Sequence, residues 1–323
     1  MVDLANYDTF RVSEEDILAS IKSDTRPHNC IKVCYEASNP KKARFGFLSE
    51  PNSRMIHAVE HIHKIMKSFP SESDDTDFSF VFQCDDKSED VFSASWEIKP
   101  SYKNVCLVPD LYYTGDSGYQ NFFADGVPDW ETREPRVFWR GTTTGLLYIT
   151  RQSLSTLPRF KLCNEARKLG SAADVRFYSV VQTANHEEQS AIVELLNQDN
   201  MIGDWVEVGN FVNYKYIVQI GGNATSWGLV QKLRLGCCIL FVEGEWKNWH
   251  ERRLVPWVHY VPVRSDLSDF REKVQWCLDN DAQAMRIGAE GRKFSLSLSY
   301  LNELIAAAAN LRRHFLQRGE AGS

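Results

Sequence analysis

Two glycines followed by small polar residues form the clearest candidate for a ligand-binding loop in this chain. The segment consists of Gly221, Gly222, Asn223, Ala224, Thr225, Ser226 and Trp227. Glycines let backbone amides approach a ligand closely, and hydroxyl and amide side chains add hydrogen-bond donors. The glycine spacing matches neither a P-loop nor the dinucleotide-binding fingerprint. We therefore expect either a cradle for a diphosphate or an ordinary turn between a strand and a helix.

The residues around this turn predict a strand, turn, helix and strand in succession. Residues 216–220 are strand-like, residues 227–235 are helix-like, and residues 237–242 form a second apolar strand. In parallel α/β sheets ligands bind at the carboxyl edge, where the N-terminus of a helix favours an anion. Lys232 lies one turn along this helix, where it either contacts a phosphate or occupies a solvated face.

Two carboxylates, Asp85 and Asp86, stand at the end of another strand-like run, residues 78–84. A carboxylate in a partly dry cleft at the carboxyl edge of a sheet can take the proton from an acceptor hydroxyl. Either side chain is thus a candidate general base, and the alternative is a solvated carboxylate in a loop.

Hydrophobic periodicity predicts the remaining elements. Helices are expected over residues 13–24, 53–68, 187–196, 267–280, 282–295 and 301–316, the first two with Ser13 and Ser53 as N-caps. Strands are expected over 105–108 and 174–181, an acidic loop over 70–77, and an irregular linker over 109–135. Strands alternate with helices in both halves, which indicates an α/β architecture with two sheets.

Length, charge and cysteine usage narrow the class of protein. The chain has 323 residues, enough for two domains, and its formal net charge of -6 argues against nucleic-acid binding. There is no run of eighteen apolar residues and no signal-peptide pattern at the N-terminus, so we expect at most peripheral membrane contact. The eight cysteines include no CxxC pair and are expected to be buried thiols in a reducing compartment, which favours a cytoplasmic location.

Two ordered blocks of sequence resemble glycosyltransferase family 90, which includes fungal capsule-associated proteins, Rumi-type protein O-glucosyltransferases and bacterial lipopolysaccharide sugar transferases. The first block is Phe138-Trp139-Arg140-Gly141-Thr142-Thr143-Thr144-Gly145, with Arg151 six residues further on. The second combines Tyr214-Lys215-Tyr216, Gly222-Asn223, Ser226-Trp227, Lys232-Leu233, Gly236-Cys237-Cys238 and the run from Leu254 to Val263.

The resemblance implies roles for residues in the second half of the chain. It places Thr142 and Arg151 on the nucleotide, because relatives use a hydroxyl residue just after Arg-Gly and a later arginine there. Arg140 either binds phosphate oxygens or ties its strand to the linker. The turn at 222–227 would hold the diphosphate. Relatives often carry an arginine where this chain has Gly228, so either Lys232 takes over that phosphate contact or the contact is absent.

The resemblance also implies a catalytic base in the first half. Relatives place an aspartate at the end of the corresponding strand. This aspartate aligns with Asp86, or with Asp85 if the alignment slips by one residue. Relatives usually have a proline soon after it, whereas this chain continues with Lys87 and Ser88.

The fold that the resemblance implies is GT-B, in which two Rossmann-like domains face a central cleft. Residues 1–135 would form the acceptor-side domain and residues 136–300 the domain that binds the nucleotide sugar. The C-terminal helix would cross back, so that residues 301–323 pack on the first domain.

The implied activity is that of an inverting, metal-independent glycosyltransferase that uses a UDP-sugar as co-substrate and no further cofactor. The sugar would be xylose or glucose, and the acceptor a hydroxyl of a glycan, a lipopolysaccharide or another lipid-linked saccharide. One alternative is a non-catalytic module that binds a nucleotide sugar or a glycan. Another is a zinc peptidase, because His57, Glu60 and His61 match an HxxEH pattern on one predicted helix.

Overall fold

The computed structural model describes residues 2–39, 43–69 and 76–319, the side chains of 317–319 excepted. The chain forms two compact units. The first comprises Met1–Gln120, Trp246–Arg252 and Leu298–Ser323, and the second comprises Asn121–Glu245 and Arg253–Ser297. Most of the acidic loop expected over 70–77, and residues 320–323 of the C-terminal segment, lie outside the described residues.

The strands of the described residues are β1 Asp8–Arg11, β2 Cys30–Tyr35, β3 Ala43–Phe47, β4 Phe78–Gln83, β5 Ser93–Ser95, β6 Glu97–Ile98, β7 Val105–Leu107, β8 Glu134–Thr142, β9 Ala173–Ser179, β10 Tyr214–Gln219, β11 Cys238–Val242, β12 Lys247–Asn248 and β13 Val261–Val263. The α-helices are α1 Glu14–Ile21, α2 Ser53–Lys67, α3 Leu111–Gly115, α4 Arg151–Leu154, α5 Pro158–Arg167, α6 His186–Gln198, α7 Leu229–Arg234, α8 Phe270–Asp279, α9 Asp281–Ser297 and α10 Tyr300–Gly319. The α/β class predicted from the sequence is confirmed.

The first unit is built on a mixed sheet with the strand order β1-β3-β2-β4-β5-β7. β4, β5 and β7 run parallel, so their carboxyl ends share one edge. β2 is antiparallel to both β3 and β4, and this departs from an all-parallel Rossmann sheet. The short connection from Tyr35 to Ala43 explains the departure, because parallel neighbours need a long crossover. The final helix α10 packs on α2, β4 and β7 of the same unit.

The second unit is built on a fully parallel sheet with the strand order β13-β11-β10-β8-β9. The inner strand β11 is buried along its whole length, Cys238–Val242, as is typical of a parallel sheet that is covered on both faces. Apolar clusters lie on each side of the sheet. One contains Val137 and Leu240, and the other contains Phe138 and Ile239.

Several element boundaries differ from those predicted. Asn52, not Ser53, caps α2, because its side chain accepts the Met55 amide proton. The expected linker at 109–135 contains the helix α3 and the start of β8, and α5 was not predicted. Ser13 does cap α1, with a complete capping box.

The state of the cysteines and the apolar character of the helices can be read directly from the structure. All eight cysteines are free thiols, and all are buried except the half-buried Cys34. Among the described residues, no helix is both long enough and apolar enough to cross a membrane.

Candidate functional site

The parallel sheet of the second unit has a topological switch point between β8 and β10. The chain leaves β8 for β9 on one side and then returns to the other side to form β10 and β11. Crossovers on opposite sides open a crevice at the carboxyl ends of the two central strands, and open α/β sheets bind their ligands there. The strand ends at this crevice are Thr142 and Gln219. The loops that follow contain Thr143–Gly145 and the turn Gly221–Trp227.

These two loops contact each other directly. The Gly145 amide donates a hydrogen bond of 3.0 Å to Asn223 Oδ1. A Cβ atom at Gly222 would overlap Thr144 Oγ1, so only glycine permits this approach. Gly222 also donates its amide proton to the Ala224 carbonyl, which closes the turn. The predicted residues Thr142, Gly222 and Asn223 are therefore brought together at one site.

Arg159, which the sequence did not indicate, forms hydrogen bonds with the chain at the ends of both β8 and β10. Its guanidinium donates to the carbonyls of Gly221 at 2.9 Å, Thr142 at 3.0 Å and Ile220 at 3.4 Å. It lies 5.7 Å from the centre of the Trp139 ring. Burial lowers the pKa of the guanidinium to about 10, so it is charged at neutral pH. This places a fixed positive charge beneath the crevice.

Lys232 is buried, with 8% of its surface exposed, and this rules out the solvated helix face considered as an alternative. Its Nζ donates to Gln219 Oε1 at 2.8 Å, and Gln219 Nε2 donates to the Ser226 carbonyl at 2.7 Å. Burial, and to a lesser degree the positive charge of Arg159, lowers the pKa of Lys232 to about 7. The buried side-chain amide of Gln219 thus links Lys232 to the turn by hydrogen bonds.

The helix after the turn is shorter than predicted. It begins at Leu229, with Gly228 as its N-cap and no side-chain cap, whereas the sequence indicated a start at Trp227. Ala224 is buried, while Thr225, Ser226 and Trp227 are half-buried. Ser226 is held through its carbonyl by Gln219, which Lys232 of this helix contacts in turn.

Arg140 is engaged within the protein. It forms an ion pair of 2.9 Å with Asp174 and donates to the carbonyls of Trp139, Asp174 and Asp204. Its guanidinium lies 4.5 Å from the centre of the Phe138 ring. These contacts use every nitrogen of the guanidinium, which favours the structural alternative over phosphate binding.

Arg151 stands at the start of α4 with 48% of its side chain exposed. Its guanidinium pairs with Glu188 at 3.4 Å, and its amide donates to the same carboxylate at 2.7 Å. An exposed ion pair of this kind contributes little to stability. The Arg151 side chain is therefore held only weakly by Glu188.

Asp85 and Asp86 follow β4 at the carboxyl edge of the first unit's sheet, and the structure separates their roles. Asp85 accepts from the amide of Asn29 at 3.1 Å and from its side chain at 2.7 Å, so both oxygens are used. Asp86 forms a half-exposed ion pair with Arg54 at the start of α2. Asp85 is thus held on both oxygens by Asn29, whereas Asp86 is engaged in an ion pair near the surface.

Buried acids near the same edge were not predicted from the sequence. Glu97 and Asp110 follow β5 and β7, and each has 1% of its surface exposed. Glu251 is 8% exposed. Burial, with a smaller contribution from the negative charge of Glu97, raises the pKa of Asp110 to about 7 and that of Glu251 to about 8. Asp110 also caps α3 by accepting the Tyr113 amide proton.

The residues of the HxxEH pattern do not converge. His57 is exposed, whereas His61 is buried, and its Nδ1 bonds with Thr114. Burial lowers the pKa of His61 to about 3, so the ring is neutral. Glu60 pairs with Lys64 at 2.8 Å. Over the described part of the chain, no three His, Cys, Asp or Glu side chains lie close enough together to hold a metal ion.

Comparison with known proteins identifies a family whose sequence model spans this part of the chain. The sequence model of Glycosyl transferase family 90 matches residues 123–304, a segment that includes both loops of the crevice. Protein 179R of Invertebrate iridescent virus 6 is 31% identical over 51% of this chain and 15% of its own length. Protein O-glucosyltransferase 2 of Danio rerio is 28% identical over 52% of this chain and 30% of its own length. This chain therefore spans less than a third of either relative.

Among solved structures, Anabaena HepE in complex with UDP-glucose aligns over 54% of this chain and 48% of its own, with a TM-score of 0.39 and 6% identity. The family match covers more than half of the sequence, including the second unit's parallel sheet from β8 to β13. On that match, the chain belongs to glycosyltransferase family 90.

Proposed function

We propose that this protein is a glycosyltransferase that takes its sugar from a UDP-sugar bound at the crevice between the ends of β8 and β10. The observation that carries the proposal is the joining of the Thr143–Gly145 loop to the Gly221–Trp227 turn in a member of family 90. Backbone amides and small polar side chains at such a switch point suit a diphosphate. The relative from Danio rerio, which is named a protein O-glucosyltransferase, supports sugar transfer.

The donor diphosphate would be held from three sides. The Gly222–Ser226 turn would offer backbone and side-chain donors, Thr142 a hydroxyl, and Arg151 a guanidinium once Glu188 is displaced. Arg159 lies below, where its fixed charge would favour the anion that forms as the sugar leaves. Donors placed before the reaction stabilise the departing charge without having to reorganise.

Asp86 would act as the general base. It would take the proton of the acceptor hydroxyl as that oxygen attacks the anomeric carbon, and the bond from this carbon to the diphosphate would break to release UDP. In-line attack would invert the configuration of the sugar. We propose glucose or xylose as the sugar, a glycan or lipid-linked saccharide hydroxyl as the acceptor, no required metal, and a cytoplasmic location.

A non-catalytic nucleotide-sugar-binding module is the second candidate. It is favoured by Gly228, which stands where relatives carry an arginine, and by the ion pair that occupies Asp86. Such a module would use the same crevice for binding but would lack the leaving-group contact and a free base.

A donor-hydrolysis screen with purified protein separates the two candidates. UDP-sugars are incubated with excess chelator, and released UDP is measured with and without simple sugar acceptors. The proposed enzyme releases UDP from one donor in preference to the others, and Asp86→Asn abolishes this release. A module binds UDP in calorimetry yet releases none from any donor. Absence of both binding and release would refute the assignment of the crevice.

A further inference from the structure

Two basic side chains support the donor turn: Arg159, to which the resemblance gives no role, and Lys232, to which it gives at most a direct phosphate contact. Arg159 reaches the turn by direct hydrogen bonds to Gly221 and Ile220. Lys232 reaches it through Gln219, which is fully buried and holds the Ser226 carbonyl. The turn is thus supported at both ends by side chains that carry, or can carry, positive charge.

The two side chains differ in how firmly they are held. Arg159 donates to three carbonyls from two loops. Lys232 Nζ makes one hydrogen bond within the described residues, to Gln219 Oε1. An ammonium has three donors, and a buried charge with one neutral partner is poorly compensated. Lys232 is therefore the group whose charge state can respond to a ligand.

Among the residues that the structure describes, no carboxylate is paired with Lys232. Its helix α7 packs on α9 and on the 3-10 helix Val208–Asn213, which has no titratable side chain. The charged residues of α9 are Asp281, Arg286, Glu290, Arg292 and Lys293. Asp281 is bound by Lys215 and Tyr216, and Glu290 pairs with Lys293. On α7 itself, Arg234 donates to the Ser295 carbonyl of α9. The charge that acts on the pKa of Lys232 is that of Arg159, and it lowers that pKa.

We propose that Lys232 is a positioning residue that takes up a proton from solvent when the diphosphate binds above it, while Arg159 holds the two loops in place. This proposal rests on the proposed use of the crevice by a UDP-sugar. A diphosphate would supply the negative charge that Lys232 lacks in the empty site. The protonated lysine would then donate more strongly to Gln219, which fixes the turn around the ligand. Release of UDP would return the proton to solvent.

The direction of the pH effect follows from the pKa of about 7 in the free protein. Binding raises this pKa, so UDP affinity is full below pH 7 and is lost as the pH rises toward the pKa of the complex. The loss approaches tenfold for each pH unit over that window. At pH 8, where free Lys232 is mostly neutral, binding should take up about 0.9 proton per UDP.

The test is calorimetry of UDP binding in two buffers whose ionisation enthalpies differ, at pH 8. The difference in apparent enthalpy gives the number of protons taken up. We expect about 0.9 for the native protein, near zero for Lys232→Met, and near zero with native-like affinity for Lys232→Arg, which is already charged. Absence of uptake in the native protein overturns the role of Lys232 by itself, and Lys232→Arg assigns any uptake that is seen if Lys232→Met fails to fold.

The outcomes separate this inference from the function on which it rests. UDP binding without proton uptake in the native protein overturns the role of Lys232 and leaves the nucleotide site standing. Equal proton uptake in the native protein and in Lys232→Met assigns the proton to another group and also overturns it. No UDP binding at all overturns both.

Discussion

Replacing Gly222 with alanine tests whether the contact between the two loops shapes the nucleotide site. The new Cβ would overlap Thr144 Oγ1 and would lie 3.0 Å from Arg159 Nη2. The arginine tip can shift slightly, but Thr144 sits on the opposing loop, so the loops must separate. Forcing a methyl group into a packed contact costs about 1–3 kcal/mol.

That cost should appear in both stability and binding. If the methyl group destabilises the UDP-binding conformation by this amount, the dissociation constant for UDP rises by about 5- to 150-fold. The melting temperature should fall by about 2–4 °C for each kcal/mol, as is usual for a unit of this size. Calorimetry with UDP and thermal unfolding followed by circular dichroism measure the two effects.

A matched control and a rescue make the test specific. Gly244→Ala adds the same methyl group in the same unit, where nothing lies within 4 Å, so neither affinity nor stability should change. Thr144→Ala removes the overlapping oxygen, so the double variant should recover at least about 1 kcal/mol relative to the sum of the single changes. A folded Gly222→Ala variant that binds UDP like the native protein would refute the reasoning. A double variant with no recovery would show that Thr144 is not the obstacle.

Three further predictions concern residues in both units. Asp86→Asn should lower turnover by about 10²- to 10⁴-fold and leave the affinity for UDP unchanged. Asp85→Asn should mainly lower the melting temperature, because it weakens the hydrogen bonds to Asn29. Loss of turnover in Asp85→Asn alone would show that Asp85 is the base. Arg151→Ala should weaken UDP binding by about 1.5–3 kcal/mol. Glu188→Gln removes the charge that pairs with Arg151 and should not weaken UDP binding. Unchanged affinity in Arg151→Ala would show that this arginine does not bind UDP. The pKa of Glu251 is raised to about 8 in the folded protein. The contribution of this carboxyl to the free energy of unfolding is therefore full below its unfolded pKa near 4.5. It falls by about 1.4 kcal/mol per pH unit as the pH rises from there to 8, where it is lost. Glu251→Gln should therefore raise the melting temperature more at pH 9 than at pH 5, and an equal effect at both would contradict the buried, neutral carboxyl.

The sequence predicted the parts of the site that local pattern determines. The glycine turn with its flanking strands is a local pattern, and so are the carboxylates at the end of β4. The pairing of the Thr143–Gly145 loop with this turn required the order of the strands, which periodicity alone does not give. The resemblance to family 90 supplied that link.

The residues that the sequence missed depend on long-range packing. Arg159 lies on α5, which has only three buried residues, Leu162, Cys163 and Ala166, among charged ones. This short apolar pattern did not predict a helix from the sequence. The buried state of Lys232 depends on the packing of α7 over the end of β10, where Gln219 accepts from it, and α7 is held in turn by α9. Gly291 permits this close approach, since a Cβ there would lie 2.8 Å from Leu233 Cδ2.

The sequence left two roles open for Arg140, phosphate binding and a structural contact. An arginine beside a glycine at the end of a strand suits phosphate binding by residue type. Its engagement with Asp174 is visible only once β8 and β9 are paired, because the two residues are far apart in sequence. The same holds for Asp86 and Arg54, which meet only when α2 packs beside the end of β4.

The central claim is that the donor diphosphate binds where the loops after β8 and β10 meet. The most direct measurement is a crystal structure of the protein with UDP, grown in the presence of chelator. We expect the diphosphate within hydrogen-bond distance of backbone amides or side-chain donors of the Gly222–Ser226 turn, with the Gly145–Asn223 contact retained. A diphosphate bound elsewhere, or one held only by exposed lysines away from this crevice, would contradict the account.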